Sequence, residues 1–320
     1  MKKAINRETI IGRIYDKSNL AEKVTGENSK NPGTKYIGGS LDIATDDAGL
    51  NVITVYFTYV VPTYSSGKTN NSYGVLENII KNGKTVLNDG AEAATLVKVD
   101  ASLGLNDFYT NRDGQETLVS AKRNMGSFIN TVSKLGEEST RNTFECDMLI
   151  NGTKLVEADG EKVAEDYLVV KGAVFDFKGA ILPVEFVVKN KSGIKYFESL
   201  DASASNLTFT KVWGQINSET IVSRREEESA FGEPAVKEYT KTVREWVITG
   251  TSKPDLTYEI GDEENGITNE EIKKALADRE VMLADVKKRA DEYQASKTQQ
   301  GFPFADGGKA VTAAEGGFNF

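Results

Sequence analysis

Histidine is absent from this 320-residue chain and cysteine occurs once, as Cys146. Without histidine, the usual zinc sites and every His-dependent catalytic triad are excluded. A single cysteine excludes an internal disulfide. Cys146 lies in the β-like run TFECDMLI, where a buried structural thiol is the expected role rather than a nucleophile. Long apolar runs are missing as well, and none approaches the roughly 18 residues needed to span a bilayer. Lys2 and Lys3 resemble the start of a signal peptide, but polar Asn6, Arg7, Glu8 and Arg13 interrupt what would be its apolar segment. The expected location is therefore a cytoplasm, with no membrane contact and no cofactor. Positive charge is also in short supply: the formal net charge is −9. Its distribution matters more than its sum, because residues 160–251 hold 12 Lys and Arg against 14 Asp and Glu, while 252–295 hold 7 against 12. The acidic surplus follows the second half of the chain, and each half permits one positive face.

What the chain does contain is an internal echo. Gly12-Arg13-Ile14-Tyr15-Asp16 parallels Gly172-Ala173-Val174-Phe175-Asp176, and each glycine stands 23 residues before a Lys-Tyr pair, Lys35-Tyr36 and Lys195-Tyr196. Ser40-Leu41-Asp42 answers Ser199-Leu200-Asp201, each followed by a β-rich run, ITVYFTYV and LTFTKVW. Ile150-Asn151-Gly152-Thr153 and Ile248-Thr249-Gly250-Thr251 close the two copies. A duplicated small β domain is the reading. The first copy runs 138 residues from opening glycine to closing Ile-x-Gly-Thr and the second 76, so an insertion is expected at about 62–123.

Short β-branched and aromatic runs dominate both copies. TIIGRIY bends at its glycine, Lys35–Ile43 and Asn51–Val61 flank the turn Thr45-Asp46-Asp47-Ala48-Gly49, and Val75–Ile80 forms a short amphipathic helix. In the second copy Tyr167–Phe177, Leu182–Val188, Ile194–Asp201 and Leu207–Ile216 have strand composition. Five short strands in roughly 90 residues fit a small closed barrel. The expected architecture is mainly β: two five-stranded barrels over 1–156 and 157–251, then an acidic linker and helix over 252–295, then a flexible tail over 296–320. Thr268-Asn269-Glu270-Glu271 is a capping box for that helix, and Ile272, Leu276, Leu283, Val286, Ala290 and Tyr293 give it one apolar stripe. The stripe suits docking on a barrel or self-association.

A period of two places Phe209, Lys211 and Trp213 on one face of their strand. An aromatic, a cation and an aromatic side by side form a platform for stacked bases with a phosphate contact built in. The alternative is that Phe209 and Trp213 are core residues and Lys211 snorkels out between them. Lys122-Arg123 beside Phe128 is open in the same way, between a solvated strand end and a phosphate contact. Ser65-Ser66-Gly67-Lys68-Thr69 lacks the first glycine of a phosphate loop.

A β unit that opens G-x-[IV]-[YF]-D, continues KY then SLD, and runs into TFTKVWG resembles the OB fold of single-stranded DNA-binding proteins. The duplication, C-terminal helix and tail are similar to versions encoded by bacteriophages, which would place the protein in a host cytoplasm. The resemblance covers roughly residues 8–153 and 168–251. It implies sequence-independent binding of single-stranded DNA in replication, recombination or repair. It also implies stacking by Tyr36, Phe57, Tyr59, Tyr196, Phe209 and Trp213. Lys35, Lys122, Arg123, Lys195, Lys211, Arg224 and Arg225 would then be the phosphate contacts. The family's tail recruits replication and repair partners, which here would fall to Phe318 and Phe320. The ending EGGFNF departs from the family pattern in lacking an aspartate cluster and a penultimate proline. Two other readings compete. A structural virion protein is also β-rich and without disulfides, and Asp46-Asp47 would have to hold a metal if the chain were an enzyme. Their position in a hairpin turn gives those aspartates a backbone role instead, and no catalysis is expected.

Overall fold

Along Asn6–Asp16 (β1) the residues alternate, with Glu8, Ile10, Gly12 and Ile14 buried while Arg7 and Thr9 face outward. The computed structural model describes residues 4–112, 115–158, 165–227, 235–252, 260 and 266–299. A short strand, Ala21–Val24 (β2), follows and adds to the edge of Lys35–Ala44 (β3). The first half continues through Val52–Val60 (β4), Leu96–Arg112 (β5) and Gln115–Thr131 (β6). β1 pairs with β3 and β5, β5 with β6, β6 in parallel with β4, and β4 with β3. These five strands close a circuit.

A second circuit follows the same order. Asn142–Val156 (β7), Tyr167–Phe175 (β8), Ile181–Val188 (β9), Thr208–Glu227 (β10) and Ala235–Thr251 (β11) supply it. β7 pairs with β8, β8 with β9, β9 in parallel with β11, β11 with β10, and β10 with β7. β1 also pairs with β7, which joins the circuits into one 11-stranded sheet. Helices sit between the third and fourth strands of each: Asn71–Asn82 (α1) and the single turn Val86–Asp89 (α2) in the first, Lys191–Ser199 (α3) in the second. Asn70 and Asn190 cap α1 and α3 by accepting from the backbone N–H groups of Ser72 and Gly193. One continuous core runs through both circuits, from Ile10, Phe57 and Val99 to Phe186, Val212 and Trp246.

The C-terminal helix is Asn269–Gln299 (α4). Its capping box forms as expected: Thr268 Oγ1 accepts from the Glu271 N–H at 3.2 Å and Glu271 accepts from the Thr268 N–H at 3.0 Å. Ile272 and Ala275 bury themselves with Ile267 against Leu149, Ala173, Phe175, Ile181 and Phe209, making a second core on the outside of the second circuit. The mainly β architecture and the helix stand as the sequence led one to expect.

Three expectations change. Ile194–Asp201 is not a strand: Asn190 caps a helix there, and Ile194, Phe197 and Leu200, three apart, turn toward the core. The echo between the halves is out of step with the circuits, because Gly12 lies in the first strand of its circuit and Gly172 in the second strand of the other, while Lys35 opens a strand and Lys195 sits inside a helix. The glycines do share a physical cause. Each lies where first and second strands press together, and a Cβ would overlap the carbonyl oxygen of Ala44 or of Leu149. The unit boundaries also move. Residues 62–123 hold α1, α2, β5 and half of β6, without which the first circuit does not close. β7 serves as the first strand of the second circuit. Most of the linker and the tail from 300, with Phe318 and Phe320, lie outside the described residues.

Candidate nucleic-acid interface

The outer face of β3 and β4 carries a pair of tyrosine rings. On β4, Ile53, Val55 and Phe57 are buried, and a register shift opposite Gly38 leaves the consecutive Thr58 and Tyr59 both exposed. That irregularity brings Tyr59 beside Tyr36 of β3, with ring centroids 4.9 Å apart. Tyr59 remains 46% exposed. One turn of the alternation away, the Arg123 guanidinium lies 4.4 Å from the Tyr56 ring centroid. A cation on an aromatic face there holds a charge at the edge of the aromatic row. Lys35 extends into solvent and meets Glu22 at 3.5 Å. Tyr36 and Tyr59 are thus brought together, with Lys35 next to Tyr36 on β3, and Arg123 of β6 forms a separate pair with Tyr56. Periodicity alone gave Tyr56 no priority, since alternation does not say which face of a strand looks outward.

Lys211 and Trp213 lie elsewhere, in an open groove of about 700 Å³ across β1, β7 and β10. Arg7, Glu145 and Trp213 are register neighbours there, and Lys211 pairs with Glu145 at 2.9 Å. The indole covers Gly250 of β11, where a Cβ would run into the ring, yet Trp213 stays 41% exposed. One side of the ring is seated and solvent reaches the rest, as a stacking platform requires. The Trp213→Ala, Lys211→Ala double variant is therefore expected to melt within a few degrees of the parent and to bind single strands several-fold more weakly. A large drop in melting temperature with unchanged affinity would return both residues to a packing role.

Other expected contacts are corrected. Phe57 is 1% exposed and Phe209 2%, the first in the main core and the second beneath α4 against Phe175, so neither ring reaches a base. Tyr196 packs from α3 against the core with a buried hydroxyl, and Lys195 is exposed on that helix rather than on a strand. Lys122 donates to the Glu185 carbonyl at 2.8 Å and lies 4.6 Å from the Trp246 ring. Partial burial draws its ammonium down to about 8, against the pull of Glu185 and Glu245, and both contacts hold it toward the second circuit. Arg224 stands opposite Glu238 and Arg225 opposite Lys237 along β10 and β11, and their side chains lie outside the described residues.

The acids read as a metal pair in one alternative are used by the fold. Asp46 accepts from the backbone N–H groups of Leu50 and Asn51, and Asp47 meets Arg141 at 2.7 Å, which holds its carboxyl low. Cys146 is buried, and burial first, then nearby acids, push its thiol well up, away from the thiolate a nucleophile needs. No helix among the described residues is long and apolar enough to cross a membrane.

The family described as YorF matches residues 5–289. No curated protein matches the chain. A deletion mutant of the single-stranded DNA binding protein from Thermus aquaticus is 12% identical, with a TM-score of 0.45 over 82% of this chain and 100% of that one. The wild-type protein from Thermus aquaticus is 10% identical, with a TM-score of 0.45 over 79% of this chain and 94% of that one. A replication protein A heterotrimer bound to ssDNA is 11% identical, with a TM-score of 0.20 over 75% of this chain and 49% of that one.

Proposed function

This chain belongs to the YorF family, and on the geometry of its β3–β4 face we propose that it binds single-stranded DNA without regard to sequence. The observation that carries the reading is the Tyr36–Tyr59 ring pair on that face, with Tyr56 of β4 carrying the Arg123 guanidinium of β6. Its place in the circuit gives it meaning. β3 and β4 are the second and third strands of a five-stranded circuit with a helix between the third and fourth. We read each circuit as an OB barrel, whose second and third strands and whose 1–2 and 4–5 loops meet oligonucleotides. Bases have π-faces whatever their identity, so stacking on tyrosine tolerates any sequence, and Arg123 and Lys35 supply phosphate contacts. A duplex keeps its bases stacked on one another and leaves these rings without partners.

Trp213 and Lys211 extend the interface to the second circuit in this proposal. A setting in bacteriophage replication, recombination or repair, in the host cytoplasm, is supported by the sequence resemblance, as is recruitment of partners by Phe318 and Phe320. No cofactor or catalytic step belongs to the reading.

The test is the Tyr36→Ala, Tyr59→Ala double variant. Removing one stacking platform is expected to weaken oligo(dT) binding tenfold or more, since a stacked base contributes about 1–3 kcal/mol. Tyr59 is exposed and Tyr36 only partly buried, so the melting temperature should move by only a few degrees. Fluorescence anisotropy and thermal melts on the same preparation decide it, and parent-like affinity would remove the β3–β4 face from the interface.

A further inference from the structure

Beyond Asn106 the β5–β6 ribbon is a two-stranded hairpin, and two paired strands have little core of their own to hold a pose. What the ribbon leans on is α4. The Arg279 guanidinium donates to both carboxylate oxygens of Asp107, at 3.0 and 3.3 Å, and reaches Ser120 Oγ at 3.4 Å. Both charged side chains of this pair are under one-tenth exposed. Eight residues on, about 12 Å along the helix, Lys287 meets Glu116 at 2.6 Å and lies 5.3 Å from the Tyr109 ring. The helix thus grips the ribbon at two heights. Its first turns are anchored independently, through Ile272 and Ala275, on the second circuit.

We infer that α4 is a strut that fixes the β5–β6 hairpin before a DNA strand arrives, and that Arg279 is a positioning residue for single-strand binding. The inference rests on the proposed function, in which this hairpin is the 4–5 loop of the first barrel. Its root carries Arg123 on Tyr56, so the pose of the ribbon and the edge of the aromatic face are mechanically continuous. A loop ordered in advance loses less freedom on binding than one that must be ordered by the ligand. A buried bidentate ion pair suits this role, because it holds one geometry and tolerates few others.

Two measurements on Arg279→Ala test it. Hydrogen exchange without DNA is expected to quicken at least tenfold in the amides of 106–112 and 115–120, while the core of both circuits stays protected. Oligo(dT) affinity is expected to fall about three- to tenfold, with the salt slope unchanged because no phosphate contact is lost. The charge-swapped Arg279→Asp, Asp107→Arg variant is expected to recover most of both. Unchanged exchange in the hairpin overturns the strut. Quickened exchange with parent affinity overturns the positioning role and leaves single-strand binding standing. Absence of oligo(dT) binding by the parent protein itself is the separate result that removes the proposed function beneath it.

Discussion

A Glu8→Gln variant should gain stability over the parent protein steadily as pH rises from about 5 to 8. Glu8 is fully buried on β1, where Trp246 of the other circuit donates its indole N–H to one carboxylate oxygen at 3.0 Å. Among the described residues the other oxygen has no partner. Burial pushes the carboxyl up to about 8, and the Trp246 hydrogen bond opposes this only in part. The folded protein therefore keeps a proton that the unfolded chain gives up above 4.5. The contribution to stability is fully present below that lower value, declines as pH rises, and is lost once pH passes the folded value. Linkage sets the slope at about 1.4 kcal/mol per pH unit, or roughly 4–5 kcal/mol over the whole window. Glutamine keeps the acceptor for Trp246 and has nothing to titrate. Its unpartnered amide adds a cost that is the same at every pH, so the difference between the two pH profiles isolates Glu8. Denaturant unfolding at several pH values checks this, and parallel profiles for parent and variant would mean that Glu8 ionises much as it does in water.

Phe57→Ala is expected to cost about 3–5 kcal/mol of stability, as for a large aromatic removed from a packed interior. The ring is 1% exposed and fills the space a side chain at Gly126 would occupy. The same substitution should leave the oligo(dT) affinity of the folded protein unchanged, because the ring faces away from the Tyr36–Tyr59 pair. Denaturant melts paired with anisotropy at low temperature separate the two effects. A stable variant that binds poorly would place Phe57 back among the stacking residues.

Phe57 and Tyr59 show how far the sequence carries. A strand was legible from β-branched and aromatic residues in alternation, but period two puts Phe57 and Tyr59 on the same face. The structure separates them through an irregularity opposite Gly38, a non-local event set by how β3 pairs with β4. Helix α4 was legible to its cap, because a capping box is a local signal that needs no partner. Lys195-Tyr196 was misread for the opposite reason: strand-like composition was overridden by the Asn190 cap and by core contacts distant in sequence. Phe209 looked like half of a platform with Trp213, and nothing local announces that α4, some 60 residues on, covers one and leaves the other open. Arg279 and Asp107, 172 residues apart, were beyond reach of any pattern along the chain.

The measurement closest to the central claim is fluorescence anisotropy of the full chain with a labelled oligo(dT), with unlabelled duplex as competitor, across a series of salt concentrations. The account predicts saturable binding that weakens as salt rises, with a slope reporting the phosphates contacted, and a duplex that competes poorly. No binding at low salt, or a duplex that competes as well as the single strand, would contradict it.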